Sequence, residues 1–268
     1  MADHFAIDGR RLSYSVMGEG PILVCINGFA ATALDWDPMF LERLATSNRV
    51  VLIDYRGMGE SADDGESFSI ADLAADVADV IRDIAIDGDA AVLGWSMGGF
   101  VAQELAIAHP GLVRRLILLS TDAGGDDSDY ADVEILRSIA DVKPDPMDQS
   151  RQLLSLLFPP AVAGELFAQF GQVVADARGQ LDGSVLQRQL DAIMHWRANA
   201  GPTETRGIAI PTLVATGTDD VVIPASNAEK LAARIDDSWL LRFPDGGHAF
   251  MAQYPQALGG VINTFLEL

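Results

Sequence analysis

The chain has 268 residues, 49% of them hydrophobic, which is enough for one large α/β domain with a sizeable core and room for an insertion. Its formal net charge of −21 argues against nucleic acid and against an anionic membrane surface as partners. Lys143 and Lys230 are its only lysines, a bias that fits equally a surface adapted to high salt or the coding habit of a GC-rich genome.

Phe5–Ile7 and Leu12–Val16 flank Asp8-Gly9, the signal of a β-hairpin. Gly18–Pro21 is a loop, and Ile22–Ile26 is a continuous apolar run of the kind that forms a strand buried on both faces. The single cysteine, Cys25, lies inside that run and reads as a small core residue. With no second cysteine there is no disulfide within the chain, which fits a reducing cytoplasm. The first residues, MADHFAIDGRR, lack the apolar stretch of a secretory signal, and no apolar run approaches the length of a membrane span. The expectation is a soluble cytoplasmic protein.

Asn27-Gly28-Phe29-Ala30 ends the first buried strand. A helix is expected over Trp36–Ala45 and a second buried strand over Val50–Ile53, followed by DYRGMGES (54–61), which reads as a structural loop. Apolar residues at 70, 73, 77, 80, 81 and 84 predict a helix over Ile70–Ile84. The next stretch is AAVLGWSMGGFVAQELAIAH, residues 90–109. An apolar run (Ala90–Leu93), a glycine-rich turn with Ser96 at its apex and a helix over Phe100–Ala108 make the strand–turn–helix pattern of a G-x-S-x-G nucleophile elbow. Such a turn exposes the serine Oγ and points a helix N-terminus at it, and side chains at 94 and 98 would clash. Val113–Leu119 is again strand-like.

From about Asp122 to Arg206 apolar strands give way to helical stripes: Ile135, Leu136 and Ile139; Leu153, Leu156 and Leu157; Leu166, Phe170, Val173 and Val174; Leu186, Leu190, Ile193 and Met194. This reads as a helical cap, residues 123–206, inserted into an α/β core of residues 1–122 and 207–268. The core resumes with a strand at Thr212–Ala215, a helix over Ala225–Ala233, a strand near Trp239–Phe243 and a last helix over Gln256–Leu266. The alternation predicts a mostly parallel eight-stranded sheet with helices on both faces.

An unaided serine is a poor nucleophile; it needs a base, and the base needs an orienting carboxylate. Of the four histidines, His4 sits in the first hairpin and His109 at the far end of the elbow helix, whereas His195 lies in the insertion beside Trp196. His248, in the glycine-rich PDGGHAF (244–250) after the last strand, is the best base. For the acid, Asp219 and Asp220 follow the strand Thr212–Ala215, Asp122 follows the strand ending at Leu119, and Asp245 sits too near His248 in sequence to orient it well.

Taken together, GWSMGG at the elbow, DYRGMGES, GTDDVVIP and GGHAF, in the order Ser…Asp…His, resemble the α/β-hydrolase superfamily over about Phe5–Ala123 and Thr205–Leu268. The resemblance implies the α/β-hydrolase fold and selects Asp220, third after the glycine of a G-x-x-D turn. It also implies an oxyanion hole from the backbone N–H groups of Met97 and Phe29. The chain departs from the common pattern with Asn27 where many members carry histidine, which bears on the orientation of that loop. Esterases and the cofactor-free haloperoxidase-like serine hydrolases are the most similar groups; neither uses a haem or metal, and the chain carries no metal-ligand cluster and no dinucleotide fingerprint, so no cofactor is expected.

The expected reaction is hydrolysis of a carboxylic ester or lactone by Ser96, His248 and Asp220. A carbon–carbon bond hydrolase or enol-lactonase of a ring-cleavage pathway, a haloperoxidase or perhydrolase, and a slow-turnover ligand sensor on the same fold are the alternatives. The insertion leaves after Leu119 and returns before Thr212, which places it over the carboxyl edge of the sheet, where open α/β sheets bind ligands. Trp95, Phe158, Met194, Trp196 and Val221 are the expected pocket residues. The insertion has 13 acidic and 7 basic residues, and no lysine or arginine lies in the motifs around Ser96, Phe29 or His248, so a substrate carboxylate would meet no evident partner. Arg137, Arg188 and Arg197 are the insertion cations weighed as exceptions. The expected partner is therefore a small to medium, neutral, apolar ester or lactone; substrate identity and oligomeric state stay open.

Overall fold

A computed structural model describes residues 3–7, 10–85, 88–140, 145–199 and 207–268. Eight strands form one sheet: β1 (Asp3–Ile7), β2 (Arg10–Met17), β3 (Ile22–Ile26), β4 (Arg49–Ile53), β5 (Ala90–Trp95), β6 (Val113–Leu119), β7 (Thr212–Gly217) and β8 (Ser238–Phe243). Their order is β1-β2-β4-β3-β5-β6-β7-β8, with β2 antiparallel to both neighbours and every other pair parallel. The register aligns Ile26 with Gly94 and Trp95 with Leu119, so the loops after β3, β5, β6 and β7 leave from one edge. The Asp8-Gly9 turn expected between β1 and β2 lies outside the described residues.

Successive side chains of a strand face opposite sides. Val24 and Ile26 join the core on one face of the sheet with Val92, Leu116 and Leu118; Leu23 and Cys25 join the other with Leu93, Ile117 and Leu119. Both faces are covered, which is why Ile22–Ile26, Ala90–Leu93 and Leu116–Leu119 read as unbroken apolar runs. Helices α2 (Ile70–Ile84) and α3 (Met97–Ala108) pack Leu73, Val77, Phe100 and Leu105 on the first face. The second face is covered by α1 (Pro38–Ala45), which brings Phe40 and Leu44, and by the C-terminal helix Pro255–Glu267, which brings Leu258, Ile262 and Phe265. Burial pushes the Cys25 thiol pKa far up, so it stays a neutral core group.

Helix limits follow local chemistry. A capping box between Ser69 and Asp72 starts α2 at the predicted residue. The predicted helix from Trp36 instead begins at Pro38 behind an Asp37 cap, because the buried Trp36 indole N–H is drawn to Asn27 Oδ1 at 2.6 Å. DYRGMGES is structural, as expected: Arg56 makes a bidentate pair with Asp76 of α2 at 2.8 Å, both buried, and Ser61 Oγ donates to Asp54 O.

Between β6 and β7 lie four described helices: α4 (Val133–Ala140), α5 (Pro146–Leu157), α6 (Pro160–Arg178) and α7 (Gly183–Asn199). Residues 141–144 and 200–206, including the expected boundary at 206, lie outside the described residues. After β7 come α8 (Ser226–Ala232), then β8, the short α9 (Phe250–Gln253) and α10 (Pro255–Glu267). No described helix is long and apolar enough to cross a membrane.

A net charge of −21 repels itself, and salt screens that repulsion as the Debye length falls from about 10 Å at 0.1 M to about 3 Å at 1 M. The melting temperature at pH 7.5 is therefore expected to rise as sodium chloride is added. A flat or falling profile up to molar salt would count against this.

Candidate active site

β5 runs to Trp95 and α3 begins at Met97, so a single residue, Ser96, makes the turn. The turn is tighter than the sequence suggests, because Gly94, Gly98 and Gly99 read as loop formers yet sit inside the strand and the helix. Their absent side chains allow the approach: a Cβ at Gly94 would fall 2.2 Å from Gly98 O, and one at Gly98 would fall 2.2 Å from Ile26 O. Ser96 has φ +56° and ψ −121°, a conformation that costs a non-glycine residue about 1–3 kcal/mol. Three hydrogen bonds hold it: Ser96 N–H to Leu119 O at 2.9 Å, Thr121 Oγ1 to Ser96 O at 2.9 Å, and Gly99 N–H to Ser96 O at 2.8 Å.

The loop after β8 brings in His248, 3% exposed, its ring centroid 5.6 Å from that of Trp95. Trp95 Nε1 donates to His248 O at 3.0 Å, and Ala249 N–H donates to Leu157 O of the insertion at 3.0 Å. His248 Nδ1 lies 2.8 Å from Asp220 Oδ2 and 3.1 Å from Oδ1. Asp220 Oδ1 also accepts the backbone N–H groups of Val222 and Ile223 at 2.9 and 2.8 Å, and the carboxylate side chain is fully buried. The other aspartates are engaged elsewhere. Asp219 is exposed and accepts from Thr218 Oγ1; Asp122 is buried against Arg197 of α7 at 2.7 Å; Asp245 is exposed. His195 is exposed beside Asn199, and His109 ends α3 near Arg82.

Phe29 and Met97 are both buried, one in the loop after β3 and the other opening α3. A Cβ at Gly28 would lie 3.3 Å from Ser96 Cβ, so the β3 loop rests directly on the serine. Asn27 donates to Ile53 O at 2.9 Å and accepts from Trp36. Tyr55 OH donates to Asn27 O at 2.9 Å. These three bonds fix Asn27 and with it the start of the loop.

Gly28, Phe29, Ala30, Ala31, Trp95, Ser96, Val222 and His248 line one cavity of about 30 Å³, with Asp35 at its wall. The insertion closes it with Leu136, Ile139, Leu153, Leu157 and Arg178. At about 10–15 Å³ per water, that volume holds about two.

Four expected pocket residues lie elsewhere. Phe158 follows the end of α5 and turns into the core on the second sheet face, leaving its neighbour Leu157 to line the cavity. Val221 is 49% exposed, because the Asp220 turn sends Val222 inward instead. Met194 lies on the outer side of α7, 43% exposed. Trp196 stacks on Phe100 of α3 with centroids 4.3 Å apart and donates to Glu104 Oε1 at 2.7 Å, so it docks the insertion on the core.

Arg178, last residue of α6, was not among the cations weighed from sequence. It is 6% exposed, and burial pulls its guanidinium pKa down while the charge of Asp35 pulls it back up. Of the weighed arginines, Arg188 pairs with Asp63, Arg197 with Asp122 and Arg137 with Glu134. Among the described residues no group of three or more histidine, cysteine or carboxylate side chains converges as a metal site requires.

The model of the alpha/beta hydrolase family matches residues 23–259. The chain is 30% identical to the provisionally named carbamate hydrolase RutD of Azorhizobium caulinodans over 254 residues, 95% of this chain and 94% of that protein. It superposes on the crystal structure of a hydrolase from Pseudomonas aeruginosa with a TM-score of 0.82 at 29% identity, covering 100% of this chain and 98% of the other. The crystal structure of the provisionally named non-heme bromoperoxidase BpoC of Mycobacterium tuberculosis gives a TM-score of 0.80 at 27% identity, covering 98% and 97%.

Proposed function

Because the chain belongs to the alpha/beta hydrolase family, we propose that it is a serine hydrolase that cleaves carboxylic esters or lactones through an acyl-enzyme. The observation that carries this reading is the 2.8 Å contact of His248 Nδ1 with Asp220, His248 lining the same cavity as Ser96 on its strained turn. Ser96 Oγ attacks the carbonyl carbon while His248 Nε2 takes its proton. Asp220 holds the Nδ1–H and stabilises the imidazolium. The N–H groups of Phe29 and Met97 receive the oxyanion. His248 then protonates the leaving alcohol, and water, activated by the same imidazole, releases the acid. The helical insertion serves as a cap over this cleft. A carbamate, named for one relative, presents the same kind of carbonyl and belongs in the substrate panel.

The cavity walls favour neutral substrates. Leu136, Ile139, Leu153, Leu157, Val222 and Phe29 are apolar. Arg178 uses both terminal nitrogens on backbone carbonyls, those of Ala30 and Ile139, and Asp35 offsets its charge. These bonds commit one N–H of each terminal nitrogen to the backbone and turn the guanidinium toward the loop and α4. A neutral ester is therefore expected to exceed the same ester carrying a terminal carboxylate by at least about tenfold in kcat/KM, some 1.4 kcal/mol.

One observation favours a second reading. A buried guanidinium in the wall is a positive charge near the reacting atoms, and a carbon–carbon hydrolase or enol-lactonase with a carboxylate-bearing substrate would use it. Faster turnover of the anionic member of the pair would select that reading.

A further inference from the structure

We propose that Gln189 and Arg178, both on the insertion, are positioning residues for the Phe29 N–H, so that the oxyanion hole is complete only while the inserted helices are seated. The inference rests on the serine-hydrolase reading above.

It begins at Ala30, the residue after Phe29. Ala30 has φ +56°, a left-handed conformation that costs an L-residue about 1–2 kcal/mol and that glycine would adopt freely. Local preference therefore does not put it there. Ala30 is also only 1% exposed, so neither of its backbone polar groups can turn to water. Both are met by side chains from far along the sequence. Its N–H donates to Gln189 Oε1 of α7 at 3.0 Å, 159 residues away, and its carbonyl accepts from Arg178 Nη1, 148 residues away.

These two bonds fix the peptide planes on either side of Ala30. The plane before it, Phe29–Ala30, shares the Phe29 Cα with the plane that carries the Phe29 N–H. A rotation of one is felt directly by the other. The core holds the ends of this loop, through Asn27 at one side and the Ala33 N–H on Asp54 Oδ1 at 2.7 Å on the other. The insertion holds the middle, where the donor is.

Gln189 has little else to do. It is fully buried, and its Nε2 finds no partner among the described residues, so its Oε1 contact with Ala30 is its contribution. Arg178 spans the insertion as well, since its Nη2 donates to Ile139 O at the end of α4 at 2.6 Å. The insertion also bonds the opposite loop, through Leu157 O and the Ala249 N–H next to His248. Lifting the inserted helices thus frees both loops that flank Ser96. Closing them over a substrate sets both again.

Gln189→Met removes the acceptor at nearly constant size, whereas Gln189→Glu retains one in either protonation state. With a neutral ester, Gln189→Met is expected to lower kcat about 30- to 100-fold with KM within about threefold, since a misplaced oxyanion donor costs the transition state and spares substrate binding. Gln189→Glu is expected to recover kcat to within about fivefold of wild type. A phenylboronic acid, which forms a tetrahedral adduct on the serine, should lose affinity for Gln189→Met by the same factor as kcat. Should Gln189→Met not fold, Gln189→Asn withdraws the acceptor by shortening the side chain and carries the same expectation. The proposal is overturned if kcat of the acceptor-less variant stays within threefold of wild type, or if Gln189→Glu is as slow as Gln189→Met. Labelling of wild-type Ser96 by a fluorophosphonate separates the two failures. An unlabelled wild type removes the serine-hydrolase reading itself, while a labelled wild type with a fully active Gln189→Met removes only this inference.

Discussion

Ser96→Ala is expected to lose about 10⁴-fold or more in kcat/KM on any ester the wild type turns over, with the fold intact. The separation of activity from stability follows from how the turn is held. Its three hydrogen bonds run through the backbone N–H and C=O of Ser96 and through the N–H of Gly99. Removing Oγ leaves all of them in place, and alanine has the same backbone preference as serine at φ +56°. The circular dichroism spectrum and melting temperature should match wild type. A fluorophosphonate should label the wild type at Ser96 and leave Ser96→Ala unlabelled. Labelling at another residue, or an active alanine variant, would falsify the assignment of the nucleophile.

Much of the molecule was legible in the sequence, and the failures have physical reasons. β3 was read to the residue because a strand covered on both faces has no reason to alternate, so Ile22–Ile26 stands out as an apolar block; in β6 the block is Leu116–Leu119, behind the half-buried Arg114 and Arg115. The limits of α2 were legible because its apolar stripe begins at Ile70 and ends at Ile84, the bounds of the helix itself. The elbow was found, but its edges were misplaced, because close packing puts glycines where propensity disfavours them. The catalytic candidates were found because their chemistry restricts residue type.

The pocket wall obeys no such restriction. Which side of an inserted helix meets the cleft depends on how that helix is docked, and one residue of helical phase exchanges Leu157 for Phe158. Arg178 was overlooked because a cation in the last turn of a helix is ordinarily a surface residue complementing the helix dipole. Its burial arises from contacts 39 and 148 residues away, which no local pattern encodes.

Asp220→Asn is expected to reduce kcat about 10⁴-fold while the loop around it keeps its shape. Asp220 does two things at once: Oδ1 accepts from the N–H groups of Val222 and Ile223, and the carboxylate faces His248 Nδ1 at 2.8 Å. An asparagine whose oxygen stays on the two backbone donors turns its NH₂ toward Nδ1. Two donors cannot face one another, so the imidazole moves its proton to Nε2. That is the nitrogen that must accept the proton of Ser96, and the base is lost although every atom stays in place. The two neighbouring candidates give different outcomes. Asp219 is exposed and its substitution by asparagine should leave kcat within about threefold, since an exposed polar change perturbs little. Asp122→Asn removes the negative charge that faces the largely buried Arg197 guanidinium. It should therefore appear as lost stability, about 3–5 kcal/mol in denaturant unfolding, with the folded enzyme still turning over. A greater loss of kcat in Asp219→Asn or Asp122→Asn than in Asp220→Asn would show that another carboxylate orients His248.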